Sequence, residues 1–307
     1  QGDERSPSPR RVPSGGGADL RLIAGRPGSA HDPSPPQTPP RFTDAPGISG
    51  ASVTFGGVCG GGRSHNGRVE PDEILLTGGN MGTVTRLGDE VRRPAGPWTA
   101  NIHRLLQAYA DAGIEATPRP LGFTADGRER LSFLPGTVAN EPAAWLWTDA
   151  VLADTARLVR RLHDASAPLA TLAGGWRSPV HTPAEVVCHN DVAPYNLVFT
   201  DGRVAGLIDF DYASPRPRAW ELAYLAYTLV PLTSEPVFTE LERKARLNAL
   251  VSAYGPTPTA DEVLALVPAK LDELAGFSDR MAEELDKPEL HLHAAGYRAD
   301  AARLREG

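Results

Sequence analysis

The 307-residue sequence is short of everything that would cross-link or anchor it. It has two cysteines, Cys59 and Cys188, which excludes a disulfide framework and a four-cysteine zinc site. No apolar run approaches the ~20 residues that span a bilayer, so no membrane partner is expected. No basic stretch followed by an apolar one stands at the beginning, so no secretory signal is read there. Positive charge is also in deficit: 31 Lys and Arg face 38 Asp and Glu, a net charge of -7. That balance argues against a nucleic-acid backbone as partner and suits a cytoplasmic enzyme, including one with a cationic substrate. The remaining composition, 41% hydrophobic and 22% charged, is that of a globular protein.

Periodicity is missing from residues 1–68, which hold 14 Gly and 10 Pro. Runs such as S-P-S-P-R-R and G-G-V-C-G-G-G cannot bury enough apolar surface to offset their ordering entropy. Residues 1–68 are therefore expected to be a disordered low-complexity tail, either a non-native extension or a basic regulatory arm. They carry 8 Arg and 5 acids, +3, which leaves -10 for the rest.

From Glu73 onward the pattern is that of folded chain. Ile74 to Leu76 reads as a strand, and Thr77-Gly78-Gly79-Asn80-Met81-Gly82 as a glycine-rich turn. Strands follow at 83–87 and 90–93 around the Gly88-Asp89 turn. Thr99 is placed to cap a helix whose apolar positions Ile102, Leu105, Leu106 and Tyr109 keep the 3.6 period. Two more strands are expected at 120–123 and 130–134. Beyond Pro142 the pattern is mostly helical, at 145–163, 218–230, 237–254 and 260–286, interrupted by short strands at 186–188, 197–199 and 204–208. The expectation is an α+β chain in two lobes: a β-rich one over 69–137 and a larger helical one over 138–307.

The chemistry concentrates in His189-Asn190-Asp191-Val192-Ala193-Pro194-Tyr195-Asn196 and, after a hairpin, Ile208-Asp209-Phe210-Asp211. Phosphoryl transfer needs a carboxylate to receive the acceptor's proton and hard oxygen ligands to hold Mg²⁺ on the phosphates. H-x-D-x-x-x-x-N supplies Asp191 and Asn196, and the hairpin returns a second carboxylate, Asp209. A glycine turn such as Gly78, Gly79, Asn80 and Gly82 would cover phosphates with backbone N–H groups. By itself G-G-N-x-G is a weak signal, being neither a dinucleotide-binding nor a Walker pattern.

These paired motifs resemble the aminoglycoside phosphotransferase family, small-molecule kinases related to protein kinases. The resemblance spans about residues 72–255. Arg161-Leu162-His163 and Glu221-Leu222-Ala223 look like two further motifs of that family. It implies a bilobal protein-kinase-like fold, with Asp191 as catalytic base, Asn196 and Asp209 as Mg²⁺ ligands, and His189 as a support of the catalytic loop. Asp211 is either a metal or substrate contact or a loop cap. ATP is the implied donor, with GTP open, its adenine against the backbone of Ser132 to Leu134. The acceptor is a small-molecule hydroxyl.

One feature departs from the family. Its third strand normally carries a Lys that contacts the α/β-phosphates and pairs with a helix Glu. Here that strand reads Val91-Arg92-Arg93-Pro94, and the helix offers Asn101, Ile102 and His103. Strand alternation after Val91 selects Arg92 as the stand-in, and the ion pair is missing or remade. Two readings follow: an ATP-dependent O-phosphotransferase, or a nucleotide-binding regulatory pseudokinase with little turnover. A metal hydrolase ranks last, for want of a clustered His and carboxylate set; His291 and His293 have no such partners. Cys188 reads as a small buried hydrophobe. The acidic residues of the C-terminal helices, Asp261, Glu262, Asp272, Glu273, Asp279, Glu283, Glu284 and Asp286, read as a solvated face or as a wall for a cationic acceptor.

Overall fold

Short alternating segments joined by tight turns build the first layer. The computed structural model describes residues 73–76, 83–139, 143–233 and 237–306. The tail expectation over 1–68 and the glycine turn with Gly78, Gly79, Asn80 and Gly82 lie outside the described residues. Strands β1 (Ile74–Leu76), β2 (Val84–Leu87), β3 (Glu90–Arg93), β4 (Pro120–Phe123) and β5 (Glu129–Ser132) form one antiparallel sheet in the order β1-β2-β3-β5-β4. Helix α1 (Thr99–Asp111) lies between β3 and β4 in the chain and buries Ile102, Leu105, Leu106 and Tyr109, the stripe its periodicity predicts. Its cap position falls on Trp98; the Thr99 hydroxyl instead accepts from Gly96 N at 2.9 Å.

A linker crosses to the second layer. Thr137 exchanges both backbone hydrogen bonds with Phe199, and Gly136 (φ +142°) lies so close that a Cβ there would meet Phe199 O at 2.7 Å. The long helix expected from Trp145 is divided. Residues Ala144–Trp147 make a 3₁₀ turn, and α2 (Asp149–Ser166) starts afresh with the Thr148 hydroxyl accepting from Val151 N. Then come β6 (Val186–Cys188), β7 (Leu197–Thr200), β8 (Arg203–Leu207) and β9 (Ser214–Arg216). β7 and β8 form the expected hairpin, while β6 pairs antiparallel with β9.

Four helices complete the lobe: α3 (Arg218–Leu229), α4 (Glu240–Tyr254), α5 (Ala260–Leu285) and α6 (Glu289–Glu306). Thr239 with Glu242, and Thr259 with Glu262, close reciprocal caps that fix the starts of α4 and α5. α3 is buried nearly all round; α5 packs on α3 and α6, and α2 on α4. The described residues share one contact unit, with a core running from Ile102 on α1 through Leu152, Leu197, Leu222 and Leu250 to Ala301 on α6. Among the described residues no helix is long and apolar enough to cross a membrane.

Candidate active site

The candidate catalytic loop is the connection from β6 to β7, and its first turn is left-handed at Asn190 (φ +71°), a conformation Asn tolerates better than most residues. Glu221 on α3 holds that turn from beneath. One carboxylate accepts from His189 N and from Asn190 N, the latter at 3.0 and 3.1 Å. Glu221 is fully buried, which alone would raise its pKa. His163, with Nε2 at 3.8 Å, together with His189 and the loop amide, holds it below the usual value. The two accessory motifs of the sequence thus meet under the loop. His189 supports it from the side: Nε2 is 2.9 Å from Ile208 O, and the ring packs edge-on to Phe210.

Asp191 follows, with both carboxylate oxygens engaged. Tyr195 Oη donates to Oδ1 at 2.6 Å, and Asn196 Nδ2 donates to Oδ2 at 2.9 Å and to Asp191 O at 2.9 Å. Burial pushes Asp191 up to about 6, against the lowering effect of the Tyr195 hydrogen bond. Tyr195 itself is raised well above the phenol range, first by burial and then by Asp191, so its hydroxyl stays a donor. Its partner on the far side is Tyr224 Oη, 3.1 Å away.

Asn196 and Asp209 are brought together through the backbone, Ile208 N donating to Asn196 O at 3.0 Å. Asp209 is left-handed (φ +64°) and its side chain is 49% exposed, so its carboxylate is open to an incoming ion. An amide oxygen beside a carboxylate is a hard-oxygen donor set of the kind Mg²⁺ takes, so these residues fit that ion.

The arginine of β3 that faces the cleft is where structure and sequence reading part. Arg92 turns away from the cleft: its guanidinium bonds Glu73 at 2.7 Å and Glu90 at 2.6 Å. Arg93 points into it, with Nε on Glu129 at 2.6 Å, one terminal nitrogen on Asp209 at 3.1 Å and the other on Asp211 at 2.6 Å. The alternation rule was sound, but its reference face was not. Val91 and Arg93 share the face that opposes Leu131 and Glu129 on β5, and this inner face is also the cleft face. The expected helix Glu is replaced by Glu129 of β5, which also meets His103 of α1 at 3.0 Å. No lysine precedes Lys244 in the chain, so no Lys of this lobe could take the role. Asp211 is drawn to Arg93 and, at 3.8 Å, to Arg177, whose guanidinium lies between the rings of Trp98 and Tyr212.

Ser132 and Leu134 lie where β5 passes into the linker. The Ser132 and Phe133 amides are already committed, to Arg119 O at 2.9 Å and Asp89 O at 2.8 Å, so neither N–H is open to an adenine. Four of the acidic C-terminal residues have structural partners: Glu262 caps α5, Glu273 pairs with Arg216 and His181, and Asp272 and Asp279 pair with arginines of α6. Among the described residues, His163, Cys188 and Glu221 are close enough to share an ion. The Glu221 carboxylate already serves the loop amides, and burial holds the Cys188 thiol far above its usual pKa, so this trio is a brace. Sequence reasoning passed over Tyr195, inside the motif it had singled out, and Glu129, a charged strand residue that looks solvent-facing until its partners are known.

Comparison with known proteins bears on the family and the fold. A sequence model of the phosphotransferase enzyme family (APH) matches residues 169–262. The chain is 33% identical over 197 residues to the trifolitoxin immunity protein of Rhizobium leguminosarum bv. trifolii, covering 60% of this chain and 74% of that one. Its fold is similar to that of aminoglycoside 2'-phosphotransferase-IIIa in its GDP complex (TM-score 0.55, 14% identity, 77% of this chain and 94% of that one). It is also similar to that of a choline/ethanolamine kinase family protein from Mesorhizobium loti (TM-score 0.52, 20% identity, 76% and 88%). The bilobal protein-kinase-like fold, a β-rich lobe before a larger helical one, is therefore established.

Proposed function

Since the chain belongs to the phosphotransferase enzyme family, we propose that it is an ATP-dependent O-phosphotransferase acting on the hydroxyl of a small molecule. The observation that carries this is the joined set of base and metal ligands: Asn196 bonds the Asp191 carboxylate at 2.9 Å while its own carbonyl is tied at 3.0 Å to the residue before Asp209. In this reading Asp191 receives the proton of the acceptor hydroxyl as that oxygen bonds the terminal phosphorus of the nucleotide and the β,γ-bridging P–O bond breaks, the nucleoside diphosphate leaving with the bridging oxygen. Tyr195 and Asn196 hold the carboxylate for that transfer. Arg93 exchanges part of its bonding to Asp209 and Asp211 for phosphate oxygens, which its fork can take in pairs. Asn196 and Asp209 would hold Mg²⁺, which when bound neutralises charge on the transferring phosphoryl group. Glu129 and His103 keep Arg93 aimed across the cleft.

The test is ATP turnover by the full chain against a panel of aminoglycosides, other cationic antibiotics and small alcohols. Phosphorylated product from at least one acceptor supports the reading; micromolar ATP binding with no product across the panel contradicts it. One observation favours a second reading, a regulatory nucleotide binder with little turnover: Arg93 is engaged by three carboxylates, two of them at the metal loop. The relative named as an immunity protein fits either reading, because a toxin can be disarmed by phosphorylation or by binding.

A further inference from the structure

Two side chains of the catalytic loop reach across to the metal loop and bracket Asp209. His189 meets the carbonyl of Ile208, one residue before it. Asn190 meets the carbonyl of Tyr212, three residues after it, donating from Nδ2 at 2.8 Å. The same Nδ2 lies 3.0 Å from Ser214 Oγ, at the start of β9. Its two shorter contacts thus go to the segment that follows Asp209; a third, to Cys188 O, is longer at 3.4 Å. The Tyr212 carbonyl can only accept, which fixes the amide with its nitrogen toward that segment.

The choice of Asn here has two physical drawbacks. At φ +71° a glycine would sit without strain. The other end of the amide, Oδ1, is buried with no hydrogen-bond partner. A glycine would avoid both, so what the side chain contributes is the reach of Nδ2. Meanwhile the Asn190 backbone is held by others: its N–H by Glu221, and its carbonyl by Lys270 Nζ of α5 at 3.2 Å. The residue is anchored at its backbone to the helical lobe and at its side chain to the metal loop.

We propose that Asn190 is a positioning residue whose side-chain amide fastens the metal loop to the catalytic loop, so that Asp191 and Asp209 keep a fixed spacing. The partners of its side-chain nitrogen are protein groups: Cys188 O, Tyr212 O and Ser214 Oγ. Its kinetic consequence rests on the phosphotransferase reading above; the strut itself does not.

The test compares the full-length parent with Asn190→Gly, which keeps the left-handed turn and removes the strut. Hydrogen exchange without ligand is the first readout. The amides of residues 210–214 should exchange roughly tenfold faster in the variant, while those of His189 and Asn190, held by Glu221, keep their protection. Asn190→Asp, of the same shape but with an oxygen facing the Tyr212 carbonyl, should loosen the same segment, and it decides the matter if the glycine variant does not fold. In steady-state kinetics kcat should fall roughly tenfold and the Mg²⁺ needed for half-maximal rate should rise, with the acceptor KM unchanged, as expected for groups moved out of register. Unchanged exchange over 210–214 in both variants would overturn the proposal. So would a lower melting temperature with kcat and Mg²⁺ dependence intact, since that is the mark of a merely structural residue. A parent that phosphorylates nothing ends the phosphotransferase reading but leaves the exchange result to decide the strut.

Discussion

In the sheet lobe, side chains near the cleft are held by charge on charge. Arg92 joins Glu73 and Glu90, Arg130 joins Glu90, Arg128 joins Glu73, and Arg93 joins Glu129 and two aspartates. In the helical lobe the catalytic loop is held mainly through its backbone, by Glu221 under two amides, Lys270 on a carbonyl, and His189 and Asn190 on two carbonyls of the metal loop. The difference is one of exchangeability. A guanidinium can trade a carboxylate for a phosphate with little change in its own bonding. A buried backbone amide that loses its carboxylate has nothing to replace it, which costs about 1–3 kcal/mol per orphaned group. The loop that carries Asp191 is thus held in a prebuilt form, and, in the proposed function, Arg93 is the group that can be re-partnered by nucleotide.

The largest effect should come from breaking the backbone-held side. Glu221→Ala orphans two buried amides, and we expect a loss of about 2–5 kcal/mol in denaturant-derived stability together with loss of turnover. A variant as stable as the parent would mean that the loop is held elsewhere. Next, Asp209→Ala should abolish Mg²⁺-dependent nucleotide binding in calorimetry while leaving the unfolding transition cooperative, because its carboxylate is half-exposed and supports no core. Undiminished Mg·ATP affinity would remove Asp209 from the site.

The sheet side should respond more mildly and more selectively. Arg93→Ala should weaken nucleotide binding by roughly tenfold, the worth of one charge-assisted contact. Arg92→Ala, on the outer face, should change affinity by less than about twofold. The reverse order would sink the assignment of Arg93 to the cleft. The smallest effect is a pH-dependent one at the seam between the lobes. Burial raises Asp191 from the usual carboxylate range to about 6. The folded state therefore binds the proton more tightly, and the ionised carboxylate costs stability progressively as pH rises from about 4 to about 6. Asp191→Asn removes that cost, so its melting temperature should match the parent's near pH 4 and exceed it above pH 6. An equal difference at both pH values would show that the carboxylate is not shifted.

Much of this was legible because local signals agreed. Turn dipeptides bounded β2 and β3, a 3.6-residue stripe marked α1, and the Asp191, Asn196 and Asp209 spacing marked the loops that the structure brings together as the candidate site. What escaped did so for definable reasons. β9 reads Ser-Pro-Arg, with no strand propensity, and is tolerated because a proline can occupy an edge position. α6 buries Ala294, Ala301 and Asp300 with Leu290 and Tyr297, a stripe too polar for periodicity to reveal; Asp300 is satisfied by the Tyr227 hydroxyl at 2.9 Å. Arg93 was missed because a two-residue period gives the alternation but not which face meets the cleft. That depended on Glu129, thirty-six residues away in sequence.

The account stands most directly on the role of Asp191, and one paired measurement addresses it: steady-state phosphorylation by parent and Asp191→Asn on whichever acceptor the panel reveals, with nucleotide affinity measured alongside. The account predicts a fall in kcat of roughly 10²–10⁴-fold, the range of general base catalysis, with ATP binding retained. A variant that turns over at the parent's rate would contradict it.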